Sequence, residues 1–259
     1  MLDMIDCMEK ELELLHTEAN MNRYWTHRSE SYSDINNEQL HGAKKNAWEQ
    51  ALFADIDESR PLEILDIGTG PGLFAIISAQ RGHHVTAVDM NAEMLCKALE
   101  NAEQAKVKVK FQQVGHVLPF EPESFDLIIS RDVTWTLTDP EETLKAWSRL
   151  LKSNGVIRYF DAEWYYYLKN KENMKHWLTS RENILKQGGS FYVKSNEMEE
   201  LAKELPMTYK DRPQWDMKFW QDNGFTCDVQ ESMNSIVYSE KEQIQYQNYS
   251  VFLVTVKKR

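Results

Sequence analysis

The residues with the clearest chemical potential lie at the end of an apolar run, in Ile64-Leu65-Asp66-Ile67-Gly68-Thr69-Gly70-Pro71-Gly72. Glycines at such a turn let the backbone double back tightly and let a ligand lie against it without side-chain clash. A dinucleotide pyrophosphate is one ligand of such turns, but its loop reads G-x-G-x-x-G, and here the last glycine position holds Leu73. No Gly-Lys-Ser/Thr follows, as a Walker-type phosphate loop requires. Asp66, two residues before Gly68, would repel a pyrophosphate and suits a cation. The alternative is a plain β-α-β turn with a solvated acid.

A second acid weighs against that alternative. The apolar run 84–89 ends in Asp89, about 20 residues past the glycines, where a ribose-binding carboxylate is expected. Met90 follows it, placed to lie on an adenine face. Asp66, Gly68, Thr69, Gly70, Gly72, Asp89 and Met90 together fit S-adenosylmethionine, whose amino group and sulfonium are both cationic.

Holding these residues in place requires strands alternating with helices, which the middle of the chain supplies. Strands are expected at 62–67, 84–89, 107–114, 125–130 and 156–160, with helices at 73–81, 92–104 and 141–151 between them. Asn154-Gly155 reads as a helix stop in the left-handed conformation. Before this block, Leu2, Ile5, Met8, Leu12 and Leu15 form one stripe of an amphipathic helix, and a second helical stretch covers 37–53. After it, the alternation lapses from 162 to 212 and resumes with a helix at 214–222 and strands at 225–229 and 250–257. The expected organisation is a helical cap or lid over 1–60, a cofactor-binding core over 61–161, an insertion over 162–212 that forms the acceptor pocket or lid, and completion of the sheet over 213–259.

The stretch 64–74, with Asp89 and with Leu118-Pro119-Phe120 ahead of Ser124-Phe125-Asp126, resembles the class I S-adenosylmethionine-dependent methyltransferases, in particular the methyltransferase type 11 group. The resemblance covers residues 60–161. It implies an α/β fold with a doubly wound, seven-stranded sheet, parallel except for its last strand, and helices on both faces. Tyr24-Trp25-x-x-Arg28-x-x-x-Tyr32 is similar to the aromatic-basic segment that closes over the cofactor in many members, which implies cofactor roles for Tyr24 and Tyr32. Members often read Gly-Asp-Ala before Leu-Pro-Phe, the Asp reaching the adenine amino group. This chain has Gly115-His116-Val117 there, so His116 either contacts the adenine edge or faces solvent.

In this fold ligands sit beyond the carboxyl ends of the strands, so residues after strands four and five face the methyl acceptor. Arg131 could hold an acceptor carboxylate or the cofactor, and Asp132 or Asp161 could take a proton or hold an amine. An Arg–Asp neighbour pair is also a common loop salt bridge. Trp135, Trp164 and Tyr165 could wall the acceptor with ring faces, or simply pack. His83 and His84 are adjacent on a strand, point to opposite faces and cannot chelate together. With Cys7, Cys96 and Cys227 far apart, no metal site or redox pair is expected.

The expected function is methyl transfer from S-adenosylmethionine to a small-molecule acceptor by in-line displacement, leaving S-adenosylhomocysteine. The alternatives are an RNA or protein methyltransferase and a non-catalytic cofactor-binding regulator. The 259 residues carry a formal charge of -11, which disfavours nucleic acid. Residues 1–60 hold 13 acidic and 6 basic residues, so much of that charge sits in the cap. The acidic start Met1-Leu2-Asp3 and the lack of a long apolar run lead us to expect a cytoplasmic protein with no membrane partner. A monomer or a homodimer, the latter through the N-terminal helix, both fit.

Overall fold

The computed structural model describes residues 2–188 and 195–258. Helix α1 (Leu2–Gln39) is continuous through the aromatic segment 24–32. The stripe from Leu2 to Leu15 lies outside the residues whose side chains are described. Gly42, at φ +61, opens α2 (Gly42–Phe53). The core follows as β1 (Glu63–Ile67), α3 (Leu73–Gln80), β2 (His84–Asp89), α4 (Ala92–Gln104), β3 (Lys110–Gln113), β4 (Phe125–Arg131), α5 (Pro140–Leu150) and β5 (Leu151–Asp161). After β5 come α6 (Lys171–Lys186), α7 (Ser195–Ala202) and α8 (Gln214–Asp222). The chain closes with β6 (Phe225–Gln230), α9 (Asn234–Val237), α10 (Glu240–Gln245) and β7 (Phe252–Lys258).

The strands form one seven-stranded sheet in the order β3-β2-β1-β4-β5-β7-β6. All neighbours run parallel except β7, which is antiparallel to both β5 and β6. Alternation along the strands explains the layers. Ile64 packs with Trp48, Phe74 and Ile77 from α2 and α3, whereas Leu65 and Ile67 pack with Leu144, Trp147 and Trp220 from α5 and α8. Helices therefore cover both faces, as expected. The strand order reverses between β1 and β4, and the crevice at that switch point is where such sheets bind ligands.

Local signals set several helix ends. Asn91 caps α4 by accepting from the Met94 amide at 2.9 Å. Asp139 caps α5, with Pro140 at its first turn and Arg149 in its last. Asn154-Gly155 does not end that helix, contrary to the sequence reading. The helix stops at Leu150, and the β4–β5 register jumps from Phe125↔Leu151 to Leu127↔Val156, so residues 152–155 bulge out of β5. Burial of Leu151 in the sheet overrides the local stop signal. Gly155 serves close packing there: a Cβ would sit 2.6 Å from Leu151 Cδ1 and 3.0 Å from the Asp126 carbonyl oxygen.

Two polar contacts lay α1 over the edge of the core. Asn101 of α4 accepts from Asn37 at 3.0 Å and donates to Ser33 at 3.0 Å and to the Pro71 carbonyl at 2.9 Å. Asn91 donates to the Asn22 carbonyl and to Thr26. One helix is thereby fastened to the same asparagines that brace the glycine turn and begin α4.

Candidate active site

A single cavity runs across the carboxyl ends of β3, β2, β1 and β4, beneath α1. Three strand spacings make that span about 14 Å. Gly68, Thr69 and Gly70 form its floor, with Asp66, Asp89, Met90 and His116 toward one side and Tyr32, Arg131 and Asp132 toward the other. Gly72 is not among the lining residues. It begins α3 at φ +92, packed on Ala98.

Gly68 adopts φ +66, and a Cβ there would lie 2.2 Å from Val133 Cγ2. The turn therefore needs glycine both for its left-handed backbone and for the close approach of the loop after β4. Asp66 is 2% exposed and accepts from the Thr69 hydroxyl at 2.6 Å. Burial pushes its carboxyl up to about 7, opposed by the Thr69 hydrogen bond. Asp89 receives the Gly70 amide at 2.8 Å and the Asn91 amide at 2.9 Å, one on each oxygen. Burial raises its pKa against those bonds. Each carboxylate oxygen carries a second lone pair, so Asp89 is aimed and still able to accept.

Arg131 departs from the acceptor-binding role considered for it. Its guanidinium donates to Gln39 at 2.7 Å, to the Tyr32 hydroxyl at 3.0 Å and to Asn36 at 3.1 Å, all on α1. It also lies over the rings of Trp48 and Phe74. Its fork is engaged in holding the cap to the end of β4. Asp132 follows at φ +57, a conformation non-glycine residues rarely adopt, and its carboxylate lies 3.6 Å from Arg131 Nε and 3.5 Å from the Tyr32 hydroxyl. Burial pushes its carboxyl up to about 7, with Arg131 pulling the other way.

Asp161 is placed differently from the sequence reading. It is fully buried and accepts from the Trp135 and Ala162 amides, the Thr134 hydroxyl, the Trp164 indole and Arg212. Arg212 also pairs with buried Asp216, which accepts from Tyr159 at 2.8 Å. With its oxygens occupied by five donors, Asp161 is a joint between β5, the loop after β4 and the segment before α8. It does not line the cavity.

Trp135, Trp164, Tyr165 and Tyr24 also lie outside the lining. Trp135 donates its indole N–H to the Asp132 carbonyl at 2.9 Å and packs on Tyr165 at 5.3 Å, beside Met198 and Leu205. Tyr24 meets Trp25 edge-on, and it is Trp25 and Tyr32 that reach the cavity. Sequence reasoning missed Tyr238 and Tyr246, which stack at 4.9 Å in the segment between β6 and β7. Both lie near enough to Asp132 that its charge adds to the upward shift that burial gives their hydroxyls. It also missed Glu18 of α1, which lines the cavity against His116. Neither set carries a local motif that could have announced it.

Residues 65–159 match the family described as a methyltransferase domain. Over those residues, somewhat more than a third of the chain, the sequence is similar to that methyltransferase domain. Among curated relatives, the ubiquinone biosynthesis O-methyltransferase of Pseudomonas entomophila is 30% identical over 152 residues, 56% of this chain and 60% of that protein. The corresponding Coxiella burnetii protein is 31% identical over 95 residues, 36% of this chain and 41% of that one. The chain thus spans less than two thirds of the length of these relatives. The methyltransferase fold itself extends further. A Haemonchus contortus phosphoethanolamine N-methyltransferase 2 structure, in complex with phosphomonomethylethanolamine and S-adenosylhomocysteine, aligns at TM-score 0.58 and 17% identity, over 82% of this chain and 52% of that one. An S-adenosylmethionine-dependent methyltransferase from Aquifex aeolicus aligns at 0.55 and 16% identity, over 89% and 97%.

Among the described residues no helix is long and apolar enough to cross a membrane. No group of three or more His, Cys, Asp or Glu side chains among them is placed to hold a metal ion.

Proposed function

We propose that the protein transfers a methyl group from S-adenosylmethionine to a small-molecule acceptor. The observation carrying this reading is the continuity of one cavity, from an Asp89 carboxylate held ready by two amides, over a glycine floor, to Asp132 at the far side of the β1–β4 switch point. The donor set fits the cofactor: Asp89 would accept the ribose hydroxyls, Met90 would lie on the base, and Asp66 would face the cationic amino-acid portion. When bound, the cofactor supplies a methyl carbon made electrophilic by its sulfonium.

The chain's own groups then have positional work, which supplies much of the rate in a displacement reaction. Arg131 ties Tyr32, Asn36 and Gln39 to the end of β4 and so fixes the cap over the cavity. Asp132 is the acceptor-side group, able to take a proton from an acceptor hydroxyl, thiol or amine. Residues of α1 and the loop after β4 enclose that end, which suits a small acceptor, as do the names of the ubiquinone biosynthesis relatives. The cytoplasmic setting expected from the sequence belongs to the same proposal.

Calorimetric titration with S-adenosylhomocysteine tests the reading. Micromolar binding is expected, and Asp89→Ala should weaken it by roughly ten- to a hundredfold, the equivalent of one or two charged hydrogen bonds. No binding at high micromolar ligand would overturn the proposal.

A further inference from the structure

The β3 side of the cavity contains a group that the proposed transfer chemistry leaves unused. Met21, Met90, Val114 and Leu118 give that end an apolar lining, and Glu18 projects into it from α1. The Glu18 side chain is only 13% exposed, and its Oε1 contacts Nε2 of His116, which stands half-exposed at the rim. Val114 donates to the Asp89 carbonyl at 3.0 Å, so the loop carrying His116 begins directly beside the acid assigned to the ribose. A nucleoside anchored there has its base in this apolar end.

An adenine presents ring acceptors and a single donor, its exocyclic amino group. A carboxylate can receive up to about four hydrogen bonds, so Glu18 retains acceptor capacity beyond its contact with His116. We propose that Glu18 reads the adenine amino group, with His116 as a positioning residue that aims its carboxylate. This inference rests on the proposed use of S-adenosylmethionine. It makes the N-terminal helix part of base recognition. It also gives the cleft selectivity, because a base with a carbonyl in place of the amino group sets two acceptors against each other in a partly buried site.

Calorimetry with S-adenosylhomocysteine and S-inosylhomocysteine provides the test, since the inosyl base carries a carbonyl in place of the amino group, with a proton on the adjoining N1, and a carboxylate aimed at the amino group loses its donor. The wild-type protein should favour the adenosyl ligand by roughly tenfold or more. Glu18→Ala should bring the two affinities to within about threefold by weakening the adenosyl ligand. Glu18→Gln, whose amide can turn an N–H to the carbonyl, should tighten the inosyl ligand relative to wild type. His116→Ala should lower the preference part of the way. Asp89→Ala should weaken both ligands alike and leave their ratio standing, which separates base reading from general loss of binding or fold. A wild-type ratio near one, or a preference unchanged by Glu18→Ala, overturns the inference and leaves the proposed function in place. Failure of both ligands to bind wild type overturns the two together.

Discussion

Two aspartates stand at the ends of neighbouring strands, Asp132 just beyond β4 and Asp161 at the end of β5, and the structure treats them in opposite ways. Asp161 is surrounded by donors and faces the buried charge of Arg212. Asp132 has a distant tyrosine hydroxyl, the Trp164 indole nearby, a loosely placed arginine and a left-handed backbone, and it opens on the cavity. The sequence offers the two as equals. What separates them is the number of donors the fold assigns to each, for a carboxylate whose lone pairs are filled can only hold structure, whereas one left short of partners can meet a ligand.

Substituting each residue tests that contrast. Asp161→Ala should cost about 3–5 kcal/mol of stability, because it leaves Arg212 buried with half its compensation. Urea denaturation would measure the loss, and a change below about 1 kcal/mol would erase the distinction. Asp132→Asn should lower kcat/KM by about a hundredfold, the lower end of what a positioned proton acceptor supplies. At about pH 4, where the folded protein keeps this carboxyl neutral, its melting temperature should match wild type, since asparagine tolerates the left-handed backbone. A large drop in melting temperature would make Asp132 structural after all.

Ionisation separates them more finely. With the Asp132 carboxyl held at about 7, the wild-type rate should rise with pH through that value, and Asp132→Asn should flatten the profile. The folded protein also keeps this proton between about pH 4 and 7, where an unfolded chain would have released it. The contribution of Asp132 to stability therefore falls as pH rises through that window, and thermal melts of the Asn variant should show a shallower decline. The smallest effect concerns the strand that delivers Asp161. Gly155→Ala should destabilise by about 1–2 kcal/mol through overpacking against Leu151, with ligand binding unchanged. A neutral result would show that the β5 bulge yields freely.

The part of the site that was readable from sequence is the part built from neighbours in the chain. Asp66, Gly68, Thr69 and Gly70 lie within one turn, and Asp89 ends the adjacent strand, so strand periodicity and turn chemistry suffice to place them. The cap and the residues after β4 and β5 resist such reading because their partners are remote. The role of Asp161 depends on an arginine 51 residues later, and that of Arg131 on three residues of a helix 92 to 99 residues earlier. The stop signal at Asn154-Gly155 misleads for a related reason: a local preference worth about 1 kcal/mol yields to burial of Leu151 in the sheet.

The fastening of α1 to α4 has a consequence for how firmly the helix is held. Its contacts at Asn101 and Asn91 are hydrogen bonds between small polar groups, with asparagine, serine and threonine on both sides. When such a seam parts, water replaces each bond at a net cost of about 1 kcal/mol apiece, far less than peeling an oily interface of equal length. At this seam the asparagines hold the helix by bonds that water can replace, whereas its ties to Arg131 and its packing near Trp135 hold it more firmly.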